Sequence, residues 1–274
     1  MYGSRQLVRK SVLILLGLAW LAPVYLMIVN AAKPQDSYLS SSAWAPSDFT
    51  GLWDNLQLAW TKGHLGGGVA STTLYALVSP ALAVLIGAAA GFAIVALRLP
   101  RGFLWLAVIF SSTVFPIQML LMPLFTQYVK FDLYDSRFGL VLIYTAISVA
   151  FTSFVMRNFF AGIAPQTFEA AVMDGASTWR IFWRIYLPMS VPALAALFIL
   201  QATLVWNDLL LGLTLTRSEG VRPLMPSLAA LEGNYGGTTI PVLLAGGLIV
   251  SLPTVALFLA AQRFFSRGLA LGQF

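Results

Sequence analysis

Apolar residues run through this chain in long unbroken blocks, not at the spacing of a half-buried helix or strand. Residues 12–20 and 242–250 show no alternation, whereas a membrane β-barrel strand alternates polar and apolar positions over about ten residues. A helix needs roughly 20 apolar residues to cross a bilayer core. Six stretches meet that length, at about 11–31, 69–97, 103–128, 138–160, 189–213 and 240–265. A lone span in lipid must satisfy its own backbone hydrogen bonds, which selects helices. The pattern predicts an all-α membrane protein with six transmembrane helices, residues 1–274 forming a single transmembrane domain.

Details within the blocks refine this picture. Gly87-Ala88-Ala89-Ala90-Gly91 spaces small residues so that another helix can approach closely. Pro116 and Pro123 interrupt the third stretch; a static kink is expected there, with a gating hinge as the other reading. The longest polar segment, 32–68, carries Trp44, Trp53 and Trp60, as suits a loop against the outer headgroup layer. The first apolar run is longer than the 7–15 residues of a signal peptide, and Asn30-Ala31-Ala32 is a poor cleavage site. It is expected to be an uncleaved anchor.

Composition agrees with burial in lipid. The chain is 59% hydrophobic and 9% charged, with a mean hydropathy of +0.83, against about 25% charged for soluble domains. Charge placement predicts orientation. With both termini, the 98–102 turn and the loop before residue 189 in the cytoplasm, that side holds Arg5, Arg9, Lys10, Arg98, Arg101, Arg157, Arg180, Arg184, Arg263 and Arg267. The other side holds Lys33, Lys62, Lys130, Arg137, Arg217 and Arg222. This excess follows the positive-inside rule. The basic pI of 9.8 is therefore a sign of topology, and no nucleic-acid partner is expected. There is no cysteine and only one histidine, His64, so thiol chemistry is excluded and no metal site is expected.

The most informative segment is the cytoplasmic insert at 161–188. It contains Glu169-Ala170-Ala171-Val172-Met173-Asp174-Gly175, nine further residues, and Ile185-Tyr186-Leu187-Pro188. Pro165 suits the first turn of a helix and Gly175 the left-handed residue that ends one. Ser177 suits an N-cap for a second helix. Phe168, Ala171 and Val172 fall on one face of the first helix. Arg180 and Arg184 fall on one face of the second, near Trp179 and Trp183. One reading is an amphipathic hairpin lying on anionic lipid, although Glu169 gains nothing from such a surface.

The spacing resembles the EAA loop of permeases of ATP-binding-cassette (ABC) importers. Residues 144–160, Trp206-Asn207-Asp208-Leu209 and Arg222-Pro223-Leu224 extend the resemblance to the carbohydrate-uptake branch. The chain is similar to the second, six-span permease subunit of maltose-type and glycerol-3-phosphate-type importers. The resemblance implies a type I importer permease fold in a prokaryotic inner membrane. It also implies a homologous permease partner, two copies of an ATPase, an external solute-binding protein and surrounding lipid. ATP and Mg would lie on the ATPase, since this chain has no GxxxxGK[ST] loop and is not expected to be an enzyme.

Carried over by position, Glu169 is the electrostatic contact with the ATPase, Ala170 and Ala171 the close-packed surface, and Gly175 the turn. Asp174, Arg180, Arg184, Ile185, Leu187 and Pro188 complete the coupling segment. Family members often continue to a basic end, whereas this sequence ends at 268–274, so a C-terminal ATPase contact stays open. The 32–68 segment is then either a connector or part of a docking surface for the binding protein.

Asp208 is the only acid expected inside a span, and intramembrane charges usually face a cavity or a partner. Gln201, Trp206, Asn207 and Asp208 form a candidate lining for a solute pathway, amides and a carboxylate binding hydroxyls beside a stacking ring. Asp208 at the outer interface, stabilising a helix break or subunit contact, is the other reading. A secondary carrier or channel is the competing class, but no internal repeat supports it. An ABC permease for amino acids or peptides also remains open, because the EAA loop does not encode the solute.

Overall fold

A computed structural model describes residues 2–46, 48–232 and 238–270, with side chains for residues 6, 8–46, 48–232 and 238–259. These residues form helices joined by turns: α1 (Tyr2–Ala31), α2 (Leu52–Lys62), α3 (Leu65–Val95), α4 (Gly102–Ser111), α5 (Ile117–Lys130), α6 (Arg137–Ala161) and α7 (Pro165–Met173). There follow α8 (Thr178–Ile181), a π-helical turn (Phe182–Tyr186), α9 (Leu187–Met189), α10 (Val191–Trp206), α11 (Leu210–Leu215), α12 (Leu224–Glu232) and α13 (Ile240–Ala270). Among the described residues, four helices are long and apolar enough to cross a membrane: α3, α6 and the parts of α1 and α13 at Val8–Ala31 and Ile240–Leu259. The pair Thr178–Met189 and Val191–Trp206, bent by 75°, would bring the number to five if counted as one span.

The expected third span, 103–128, is not one helix. α4 has 10 residues and α5 has 14, each short of the roughly 20 a bilayer core requires. Pro116 lacks an N–H and disfavours the helical region at Phe115, so α4, which ends at Ser111, does not run on into α5. The hydroxyls of Ser111, Ser112 and Thr113 add to this by donating to the carbonyls of Val108, Ile109 and Phe110. Pro123, by contrast, sits inside α5 without breaking it. The expected fifth span, 189–213, is also divided, with α10 ending at Trp206 and α11 starting at Leu210.

The chain divides into two compact units, residues 1–66 with 227–252 and residues 67–226 with 253–274. In the first, Lys33 is buried and donates from Nζ to Asn30 Oδ1 at 2.9 Å and to the Ser42 carbonyl at 2.7 Å. The Asn55 amide donates to the carbonyls of Ala31 and Lys33, tying α2 to the end of α1. The loop after α1 is thus fixed by polar side chains that satisfy buried carbonyls.

In the second unit, α3 and α6 meet at the small-residue stretch. A Cβ on Gly87 would stand 2.5 Å from Thr152 Oγ1, and one on Gly91 would stand 2.7 Å from the Arg157 nitrogen. Thr152 uses this approach to donate to the Ala83 carbonyl at 3.0 Å. In lipid, such close backbone packing replaces the hydrophobic drive that water would supply.

Candidate functional site

Local chemistry shapes the 161–188 insert. Pro165 opens α7, where its missing N–H leaves no gap. Gly175 has φ of +73°, the left-handed conformation that side chains disfavour. Its N–H reaches the Val172 carbonyl at 2.9 Å, and the Ala176 N–H reaches that of Ala171 at 3.0 Å. That pair of bonds is the Schellman closure of a helix. The Ser177 side chain accepts from the Arg180 N–H and starts α8. The second helix then departs from the regular form expected of it, because Phe182–Tyr186 makes a π turn with the Leu187 N–H bonded to the Phe182 carbonyl. Pro188 accounts for this: in an α-helix its ring would press on the carbonyl of Arg184.

The insert has a buried inner face. Ala171, Ile181, Phe182 and Tyr186 join Val84, Ala88, Phe92, Met156 and Phe160 in one core, with Phe168 packed against it. Phe92 is its hub, with ring centroids 4.9 Å from Tyr186, 5.2 Å from Phe182 and 6.2 Å from Phe168. Tyr186 also meets Phe160 edge-on at 5.3 Å. Edge-to-face aromatic pairs favour one geometry over others, so this packing clamps the insert to the ends of α3 and α6.

The outer face carries Glu169, Ala170, Val172, Met173 and Asp174, all exposed. Val172 therefore leaves the inner face on which Phe168 and Ala171 lie, contrary to the expected three-residue stripe. Arg180, Arg184 and Pro188 are exposed, and Ile185 and Leu187 are half-buried. The Glu169 carboxylate meets a residue that sequence reasoning did not pair with it: Arg98 Nη2 lies 3.2 Å from Oε1. Arg98 holds a left-handed backbone, φ +50°, in the turn between α3 and α4. The one available signal was charge, since this turn is basic and the insert holds the acids assigned to the same side. A cavity of about 400 Å³ lies beside the pair, lined by Arg98, Glu169, Pro165, Phe168 and Tyr186 among others.

The second candidate group is only partly assembled. Gln201 and Asp208 line one cavity of about 170 Å³, together with Tyr144 and Ser148. Trp206 is buried but does not line this cavity, and Asn207 is exposed with its amide donating to the Thr203 carbonyl at 2.8 Å. Asp208 Oδ2 accepts from the Tyr144 hydroxyl at 2.9 Å and from the Gly212 N–H at 3.0 Å. The carboxylate therefore caps the restart of the helix at α11 while facing a cavity. Tyr144 and Ser148 were missed as lining residues, although a tyrosine hydroxyl in an apolar helix calls for a partner.

On the outer edge of this unit, Asp135 Oδ1 accepts from the N–H groups of Arg217 and Ser218 and from the Ser218 hydroxyl. Arg137 donates twice to the Gly220 carbonyl. Partial burial pushes the Asp135 carboxyl up, but these hydrogen bonds and the charge of Arg222 hold it below the usual carboxylate range.

Residues 83–270 match the family described as binding-protein-dependent transport system inner membrane component. The chain belongs to that family. It is a multi-pass membrane protein and a non-catalytic permease subunit of an ABC importer, a class that works with an ATPase and a solute-binding protein. Among relatives of this permease is the diacetylchitobiose uptake system permease protein NgcG of Streptomyces coelicolor. It is 27% identical over 273 residues, covering 97% of this chain and 88% of the relative. The melibiose/raffinose/stachyose import permease protein MelC of Bacillus subtilis is 26% identical over 252 residues, covering 91% and 90%. A crystal structure of a bacterial ABC transporter involved in import of the acidic polysaccharide alginate contains a chain of the same fold. Its TM-score is 0.75, with 22% identity and coverage of 95% of this permease and 96% of that chain.

Proposed function

We propose that this permease forms half of the transmembrane pathway for a sugar or related polyol, and that its 161–188 segment couples the pathway to a separate ATPase. The observation that carries the coupling is α7 itself: a rigid, capped helix with Glu169, Ala170 and Met173 outward and Phe168 and Ala171 held by the Phe92 core. Force applied to its outer face passes into α3 and α6 through packed side chains. Interiors at such density shift as units and do not yield locally. Asp174, Gly175, Arg180, Arg184, Ile185, Leu187 and Pro188 give the segment its turn, solubility and bend. The sugar reading is supported by relatives named for diacetylchitobiose and for melibiose, raffinose and stachyose.

In this reading residues 1–274 are one transmembrane domain of six spans, the broken pairs α4–α5 and α10–α11 each serving as one. Both termini lie in the cytoplasm, and the 268–274 end, of which 271–274 lie outside the described residues, stays unassigned. A homologous permease supplies the other half of the pathway. Two ATPase copies carry ATP and Mg, and an external binding protein delivers the solute. Gln201 and Asp208, with Tyr144, line the polar part of the pathway; Trp206 and Asn207 support the helix break.

The test is Glu169→Lys in the assembled transporter. The variant inserts normally, loses co-purification with the ATPase and loses ATP-dependent uptake. Uptake and co-purification that both survive overturn the role of α7. Uptake by this chain alone without ATP supports a secondary carrier instead.

A further inference from the structure

The stretch Thr178–Met189 meets Val191–Trp206 at 75°. With α10 crossing the bilayer, the residues before Ser190 run close to the membrane plane. One face of this in-plane stretch is spoken for, because Ile181, Phe182 and Tyr186 are buried in the Phe92 core. The other face is unpartnered and of a specific kind. Trp179 and Trp183 are exposed, 70% and 43%, with ring centroids 5.4 Å apart. Arg180 and Arg184 are exposed beside them, and neither guanidinium has an acidic partner among the described residues.

Paired indoles next to paired guanidiniums on a helix lying in plane at the foot of a span match the headgroup layer. Indoles settle at the boundary of acyl chains and water, and arginines seek anionic phosphate there. We propose that Trp179, Trp183, Arg180 and Arg184 form an anionic-phospholipid binding face that holds the second half of the insert on the membrane. α7 is thereby left free on the aqueous side to meet the ATPase. The two halves of the insert then have separate partners: lipid for Thr178–Met189 and protein for α7. The bend at Ser190 becomes a fixed fulcrum, because the stretch before it is held by lipid on one face and by the Phe92 core on the other. This assignment rests on the membrane topology proposed above but not on the ATPase contact.

Because the chain has no cysteine, single cysteines introduced as Trp179→Cys, Trp183→Cys or Met173→Cys carry a nitroxide label at one defined position each. The assembled transporter is reconstituted in nanodiscs of phosphatidylcholine with or without phosphatidylglycerol. Label accessibility to oxygen, which partitions into lipid, is compared with accessibility to a water-soluble nickel chelate. Labels at 179 and 183 favour oxygen, more strongly with phosphatidylglycerol. Arg180→Gln with Arg184→Gln abolishes that gain. The label at 173 is aqueous and becomes shielded only when the ATPase is bound. Nickel-favoured accessibility at both 179 and 183 in phosphatidylglycerol discs overturns the proposal, as does shielding of those positions that requires the ATPase. A label at 173 that the ATPase never shields, with 179 and 183 still in lipid, sinks the coupling role of α7 and leaves the lipid face standing.

Discussion

The Tyr144 hydroxyl donates to Asp208 Oδ2 at 2.9 Å, joining α6 to the break between α10 and α11 across 64 residues of sequence. The same oxygen accepts the Gly212 N–H. One carboxylate oxygen thus organises a helix restart and a contact between helices, in a region where stray polar groups are costly. Tyr144→Phe removes one donor and leaves the cap. Hydrogen bonds between membrane helices contribute on the order of 1 kcal/mol. A modest fall in unfolding temperature of the detergent-purified transporter is expected. Asp208→Ala removes both bonds and should lower stability further. If Asp208→Asn abolishes uptake while stability stays close to that of the parent, the carboxylate acts on the solute and not only on the fold.

Gly175 tests the turn that orients α7. No atom lies within 4 Å of a Cβ built there, so a side chain meets open space and only the φ of +73° opposes it. The left-handed conformation costs an ordinary residue about 1–2 kcal/mol. Gly175→Ala should therefore reduce stability by that order and slow ATP-driven uptake, whereas Gly175→Asn, better suited to this region, should be milder. Equal effects of the two variants in thermal unfolding and uptake assays count against a conformational role.

What was legible in the sequence here is what local chemistry decides. Pro165 opens α7, Gly175 closes it and Ser177 caps α8, each acting within four residues of itself. The long apolar helices were legible for the same reason, since length and composition are local properties. Where a distant residue decides, the sequence offers a general signal of charge or polarity but does not name the partner. Nothing near Glu169 in the chain points to Arg98, and nothing near Asp208 points to Tyr144. The break within the third span is decided at an intermediate range. A proline in a membrane helix is compatible with a kink or a break, and the choice fell to Pro116 acting together with three hydroxyl residues that bond their own backbone.

The crossing of α3 and α6 makes a sharper demand. A Cβ on Gly91 would lie 2.7 Å from the Arg157 nitrogen and 2.9 Å from the Met156 carbonyl carbon, both backbone atoms that a rotamer change cannot move. Gly91→Leu forces the helices apart, and overpacking of this kind costs roughly 1–3 kcal/mol or more. The expected result is a large loss of unfolding temperature and poor assembly. Gly17→Leu is the control, since no atom lies within 4 Å of a Cβ there, and it should be nearly silent in the same assay.

Asp135 gives the fold a defined pH dependence. Its carboxyl is held below the ordinary range: burial pushes it up, and hydrogen bonds from Arg217 and Ser218 with the charge of Arg222 more than offset that. A folded-state value below the unfolded one means that the ionised form is stabilised by folding. The contribution is therefore complete at neutral pH, begins to fade as pH falls to the usual carboxylate range, and is lost once pH drops through the lowered folded value. Neutral Asp135 keeps little hold on the 217–218 backbone, so that loop should loosen in acid. Asp135→Asn should lower stability at neutral pH and flatten the acid limb of the unfolding-temperature profile relative to the parent. Parallel profiles for parent and variant, offset by a constant amount, would show that Asp135 contributes by shape and not by charge.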